Sequence, residues 1–307
     1  MKNLIISLDY ELRWGMDIIY GSSINDTNMH ISETPQVVNN MLSIFSKYEI
    51  KSTWASVIAI SMKSWNEYFE VLDSYGIKND GPHFGHTSNF HNFKEFEKYY
   101  FSYNSLKTIN DFELAEIGSH SFRHTYFGED QYNINDFILD NKICADILNN
   151  KFNIKKSCYV FPRNQIVHID EINRTSTVGY REVPNIFGYK NTKSTKNNRL
   201  FTKLSRFSND VLPFVSKPSK RNAFFSVGDM HIRFNLPDLL WKTQLLKLEN
   251  MIKSKESYES TIHLWWHPHN ISINPSKNIN RLEQLLKLIH KYINNKSIES
   301  SFMSEVV

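Results

Sequence analysis

AEIGSHSFRHTY, Ala115 to Tyr126, is the stretch on which the reading of this 307-residue chain turns. A short apolar run with strand character ends at Gly118-Ser119, and the chain then delivers two histidines four residues apart, His120 and His124. If the segment turns helically, that spacing puts both imidazoles on one face, within reach of a single small object. The economical object is a divalent cation. Two histidines alone hold a catalytic metal poorly, so a third protein ligand, preferably a carboxylate, is expected elsewhere, with positions left for water and substrate. A hydrogen-bonded structural pair is the competing reading, and the flanking sequence has to decide between them.

Toward the N-terminus, residues 3 to 8, NLIISL, form an apolar run that fits a strand buried on both faces and ending in Asp9-Tyr10-Glu11. Asp9 and Glu11 then point to the same side. Charges at the carboxyl end of a buried parallel strand cost free energy unless paired or metal-bound, and that end is where α/β folds place their chemistry. A strand end running into solvent is the plain alternative. After a long irregular loop to Ser32, Thr34-Pro35 caps a helix with Val37, Val38, Met41, Leu42 and Phe45 on its apolar stripe. Ile50 to Ile60 reads as a second strand, and Ser64 to Tyr75 as a helix closed by Gly76. His83, His86 and His91 fall in a Gly/Pro/Asn-rich surface loop without a regularly spaced carboxylate, and Phe93 to Ile109 reads as one amphipathic helix.

Toward the C-terminus come a helix over Ile134 to Phe152, a strand SCYVF over Ser157 to Phe161 ending in Pro162-Arg163-Asn164-Gln165, and a strand over Thr177 to Val183. Ile186 to Asn222 breaks the rhythm. This basic insertion carries Lys190, Lys193, Lys196, Arg199, Lys203, Arg206, Lys217, Lys220 and Arg221 with little periodicity, and reads as a solvated face ahead of a surface for phosphate groups or anionic lipid. A strand over Phe224 to Phe234, a helix over Leu236 to Lys255, a strand over Thr261 to His267 and a final helix over Asn278 to Ile293 follow. On the last strand His263, Trp265 and His267 share one face. Strands and helices alternate about seven times over residues 1–307 without a linker or repeat, which predicts an α/β fold, a single barrel-like domain of (β/α)7 type with parallel strands.

Composition narrows the class. With 40% apolar and 14% aromatic residues the chain is globular. A net charge of +4, without a recognisable nucleic-acid motif, excludes nucleic acid as the expected partner. Cys144 and Cys158 read as buried thiols of a reducing compartment. The N-terminal apolar run is too short for a signal peptide and no later run fits a bilayer span, so the expected location is cytoplasmic, with a peripheral membrane contact left open.

Three strand ends carry complementary polar groups: Asp9 with Glu11, His120 with His124, and His267. In a closed parallel barrel such ends share one rim. The order and type of the motifs SLDYE, HSFRH, FPRNQ and LWWHPHN, spread from residue 7 to residue 270, resemble the polysaccharide deacetylase family, the NodB-homology carbohydrate esterases. The resemblance implies a distorted (β/α) barrel that removes N- or O-acyl groups from sugars. It also implies Asp9 as general base, His120 and His124 as metal ligands and His267 as general acid. Two departures stand out. The family more often has adjacent aspartates in the first motif, whereas Tyr10 intervenes here and Glu11 becomes the implied third ligand. In the third motif Arg163 follows Pro162 instead of preceding the proline, and its implied task is to orient Asp9. Asp229 is the candidate carboxylate partner for the acid histidine.

The resulting expectation is a metal-dependent hydrolase that takes an acetyl or formyl group from an amino sugar of a surface-polysaccharide or lipid-linked glycan precursor. The cation is expected to be zinc, with cobalt, nickel or manganese as alternatives. Rim tryptophans Trp14, Trp54, Trp265 and Trp266 either stack on sugar or pack the wall, packing being favoured. A carbohydrate-binding barrel without catalysis is the alternative function, and a non-haem iron oxygenase ranks last because its usual spacing and β-rich fold are not seen.

Overall fold

Strand β1 (Lys2–Tyr10) has two faces with different neighbours, and that division organises the molecule. In the computed structural model, which describes residues 1–15, 30–77, 93–172, 174–185, 199–212, 219–220, 224–254 and 260–307, Leu4, Ile6, Leu8 and Tyr10 enter the main apolar core, with Val38, Met41 and Phe45 of helix α1 (Thr34–Lys47). Ile5 on the other face belongs to a separate cluster with Cys158, Met303 and Val306. Period-2 alternation in a strand with helix on one face and the barrel interior on the other produces this split.

The other strands are β2 (Ser52–Ser56), β3 (Ala115–Ser119), β4 (Ser157–Tyr159), β5 (Thr177–Glu182), β6 (Ser219–Lys220), β7 (Phe225–Val227), β8 (Met230–His231), β9 (Ser260–Trp266) and β10 (Ile298–Ser301). The sheet order is β6-β9-β1-β2-β3-β4-β5-β7, with β10 on β1 and β8 on β9. Every pairing is parallel except β6 with β9. The helices of eight or more residues are α1, α2 (Trp65–Ser74), α3 (Phe93–Tyr100), α4 (Tyr103–Asn110), α5 (Ile134–Phe152), α6 (Arg199–Val211), α7 (Asp238–Lys253) and α8 (Pro275–Asn294). This is the expected distorted (β/α) barrel.

The segment expected as one strand over 224–234 is two. Its first half, β7, pairs with β5 and its second half, β8, pairs with β9, so the break carries the sheet round toward its starting edge. Gly228 sits at the break because a Cβ there would lie 3.1 Å from Arg181 and 3.3 Å from Trp265. Ser226 Oγ reaches His263 Nδ1 at 3.0 Å across the interior.

Other expectations are corrected. The second strand ends at Ser56, and Ile58–Ser61 is a 3-10 turn whose Ile58 and Ala59 amides donate to the Ser121 and Phe122 carbonyls. Residues 93–109 form two helices, because the Ser102 amide turns inward to the Ile60 carbonyl at 2.8 Å. The stretch read as a basic insertion of little periodicity contains α6. The bottom plug, with β10 and the turn Met303–Val306, was not expected. His83, His86, His91 and residues 186–198 lie outside the described residues. Among the described residues no helix is long and apolar enough to cross a membrane.

Candidate active site

Residues of the interior face of β1 rise in layers: Ile5 in the apolar plug, Ser7 in a buried polar layer, then Asp9 and Glu11 at the carboxyl rim, all buried. Asp9 is held by a two-pronged salt bridge from Arg181 of β5, Nη1 to Oδ1 at 2.6 Å and Nη2 to Oδ2 at 2.7 Å. Burial pushes the Asp9 carboxyl up, but the Arg181 charge and hydrogen bonds outweigh it and hold the group below its ordinary value.

Arg181 is itself braced. Nη1 also donates to Ser7 Oγ at 3.0 Å, Nη2 donates to Asn164 Oδ1 at 3.2 Å, and the guanidinium lies 4.4 Å from the centre of the Trp265 ring. Ser7 Oγ is 2.8 Å from His263 Nε2. Burial first, then the Arg181 charge, holds His263 well below the ordinary histidine range, so the ring is neutral, with one nitrogen donating and the other accepting between the Ser7 and Ser226 hydroxyls.

The histidine pair is set differently from the expected helical turn. His120 prolongs the sheet: its amide donates to the Ser56 carbonyl at 2.8 Å. Beyond it the chain turns through positive φ at Ser121 (69°) and His124 (59°). Asp140 of α5 pins this turn, accepting from the Phe122 amide at 3.0 Å and from Ser121 Oγ at 3.1 Å. The Thr125 amide closes it onto Ser121 Oγ at 3.0 Å. The imidazoles therefore converge, 4.9 Å between ring centres, through a left-handed turn.

Glu11 Oε2 lies 2.8 Å from His124 Nε2 and 3.6 Å from His120 Nε2, and one donor atom of each of the three residues falls within 4.8 Å of the others. A tetrahedral cation with bonds of about 2.0–2.2 Å separates its donors by roughly 3.4 Å, so the triplet fits a single ion. His120 Nδ1 donates to the Val160 carbonyl at 2.7 Å, which turns the Nε2 lone pair to the site. Gly15 makes room for the Glu11 carboxylate, because a Cβ there would come within 2.2 Å of it. Burial opposes ionisation of Glu11, but His267 and His124 draw its carboxyl well below its ordinary value.

His267, at the end of β9, faces both acids, with Nε2 3.2 Å from Glu11 Oε1 and 3.9 Å from Asp9 Oδ2. Its side chain is 23% exposed where those of Glu11 and His120 are 6% and 2%, so it stands at the mouth.

Asp9, Glu11, His120, His124 and His267 thus come together as the motifs suggested, and Arg163 does not join them. The guanidinium on Asp9 belongs to Arg181. Arg163, on a turn with φ of 54°, lies instead 4.3 Å from the Tyr126 ring centre. Asp229 is engaged elsewhere, accepting from the His263 amide at 2.9 Å. The rings around His267 are those of His231, Trp265 and His269, at 5.8, 5.8 and 5.1 Å. The four tryptophans expected at the rim, Trp14, Trp54, Trp265 and Trp266, are all buried and pack the wall. Sequence reasoning missed Ser7, Arg181, Ser226 and the part played by His263. The signal for Arg181 was a charge in a short buried strand at alternating positions with Gly179.

No family model and no curated protein matches this sequence. Solved structures do. A putative polysaccharide deacetylase from Mycobacterium smegmatis aligns over 99% of this chain and 88% of its own with a TM-score of 0.52 and 10% identity. The peptidoglycan deacetylase PdaC from Bacillus subtilis aligns over 99% and 89% with a TM-score of 0.43 and 10% identity. A CE4 family pseudoenzyme from Bacillus anthracis aligns over 92% and 61% with a TM-score of 0.41 and 10% identity. The first of these likenesses shows the fold expected from the motifs. The chemistry rests on this chain's own residues.

Proposed function

We propose that this chain is a metal-dependent hydrolase that removes an N-acyl group, acetyl or formyl, from an amino sugar of a surface-polysaccharide or lipid-linked glycan precursor. One observation carries the reading: a buried, guanidinium-clamped carboxylate stands beside a buried Glu-His-His triplet, with a half-buried imidazole across from both. A binding barrel without catalysis has no use for a carboxylate so desolvated and so tightly oriented. The triplet, Glu11 with His120 and His124, would hold the cation, and its two nitrogens and one oxygen suit zinc, with cobalt, nickel and manganese also within its range.

A bound divalent cation supplies an acidified water and a polarised acyl carbonyl. Asp9, kept ionised by Arg181, is placed to take that water's proton, and the clamp keeps its oxygens in one orientation while it does so. An amine leaves poorly unless it is protonated, and His267 stands within reach of the same space to give a proton to the departing nitrogen. Arg181 also offsets the charge of two carboxylates held side by side in a buried site.

The test is release of acetate or formate from purified N-acyl amino sugars and their lipid-linked forms. Activity lost by about two or more orders of magnitude in His120→Ala and Asp9→Asn, and lost to chelator and restored by added zinc, is the expected result. Full turnover in the chelated protein overturns the reading.

A further inference from the structure

FPRNQ is the motif whose arginine the chemistry above leaves unused. Arg163 and Asn164 both lie in the left-handed region, with φ of 54° and 55°, a conformation that two successive side-chain-bearing residues adopt only when the surroundings impose it. The turn is tied by the Asn164 amide to the Phe161 carbonyl at 2.9 Å and the Gln165 amide to the Pro162 carbonyl at 3.1 Å.

The strained turn places its two side chains to different ends. Asn164 Oδ1 accepts from Arg181 beside Asp9. Arg163 is laid over Tyr126, whose own ring is 5.2 Å from that of His124. The guanidinium therefore sits one residue from the clamp on the base and one ring from a metal-binding imidazole. It is partly exposed and, among the described residues, meets an aromatic face and no carboxylate. Arg181, Arg233, Arg174 and Arg281, by contrast, each have an acidic partner.

A guanidinium stays charged at all working pH values and presents a fork that matches the oxygens of a phosphate or carboxylate. Held at the rim against the Tyr126 ring, with no carboxylate partner among the described residues, it gains little from a neutral sugar. We infer that Arg163 binds an anionic group, phosphate or carboxylate, carried by the amino-sugar substrate, so that the site selects anionic over neutral N-acyl sugars. This rests on the hydrolase reading for its kinetic half and on direct binding for the other.

The experiment compares wild type, Arg163→Gln and Arg163→Lys on three N-acyl amino sugars: a phosphate ester, a uronate-containing disaccharide and a neutral methyl glycoside. For the better of the two anionic compounds, the anionic-to-neutral ratio of kcat/KM falls about 10- to 100-fold in Arg163→Gln, chiefly through KM, and the preference weakens with added salt. Arg163→Lys recovers only part of it, since a point charge lacks the fork. Which anionic compound responds separates phosphate from carboxylate. A ratio unchanged by Arg163→Gln, or a wild type that prefers the neutral glycoside, overturns the inference. Calorimetric titration of the Asp9→Asn protein with the same sugar phosphate, with and without Arg163→Gln, keeps the two readings apart. Binding that depends on Arg163 without any hydrolysis by wild type sinks the hydrolase and leaves the anion site standing. Hydrolysis without dependence on Arg163 does the reverse.

Discussion

A single guanidinium decides how Asp9 behaves. Burial alone would raise the Asp9 carboxyl, and Arg181 reverses the sign. Asp9 acts as a base only when ionised, so removing Arg181 leaves burial opposed by His120 and His267 alone and moves the acid limb of the rate profile to higher pH. Arg181→Gln should show that displacement together with a lower kcat, and Arg181→Lys should recover part of it. A kcat loss with the limb unmoved would leave Arg181 as packing alone. The residues proposed to surround the reacting space were legible one at a time, because Asp9, Glu11, His120, His124 and His267 sit at or just beyond strand ends, where a buried charge is costly unless paired or metal-bound. Arg181 was not legible in that way. Its strand is short, and the pairing that brings it to Asp9 spans 172 positions, a separation that no local pattern encodes. Arg163, adjacent to the proline of the right motif, drew the assignment that belonged to an arginine of the neighbouring strand.

The HSFRH turn shows what an element adds to its residues. A spacing of four suggested a helical face, but what joins His120 to His124 is a pair of left-handed residues held by Asp140 from α5. Local periodicity does not report a turn whose hydrogen bonds go to a side chain 18 or 19 positions away. The helix that supplies Asp140 was legible in its bounds, Ile134 to Phe152, and the structure adds the Asn133 capping box that starts it and the left-handed Asn153 that ends it. Burial raises the Asp140 carboxyl to about 6 from 3.8. Between those pH values the folded chain keeps a proton that the unfolded chain has released, so this group's contribution to stability falls as pH rises through the window, by about 3 kcal/mol in all. Asp140→Asn removes the titration and keeps an acceptor for the Phe122 amide. The stability of the variant relative to wild type should therefore climb by about that amount between pH 4 and pH 7, read from denaturant midpoints across the range. A difference that stays flat with pH means Asp140 is ionised in the fold at no cost.

At the scale of the molecule, the barrel interior separates apolar packing from the proposed site. Its lower end is apolar, with Ile5, Cys158, Met303 and Val306 packed together, and Gly179 admits the last residue because a Cβ there would lie 2.4 Å from Val307 Cγ2. The middle is the hydrogen-bonded layer of Ser7, His263, Ser226 and Arg181, and the upper rim carries the acids and imidazoles. The alternation of strands and helices made the barrel legible, since each strand needs helix on one side and interior on the other. The bottom plug was not, because its strand and turn are too short to show a period. This layering predicts a double dissociation. Met303→Ala empties a fully buried site in the plug and should cost about 2–5 kcal/mol of unfolding free energy, while zinc affinity at the rim stays within about threefold, since sites without shared partners behave additively. Gly15→Ala should do the opposite: its Cβ displaces the Glu11 carboxylate, so zinc affinity falls by an order of magnitude or more while the melting temperature of the metal-free protein barely moves. Were Met303→Ala to weaken zinc as strongly as Gly15→Ala does, the interior would be one cooperative unit, and the carboxylate at the rim would owe its position to the packing at the far end of the barrel.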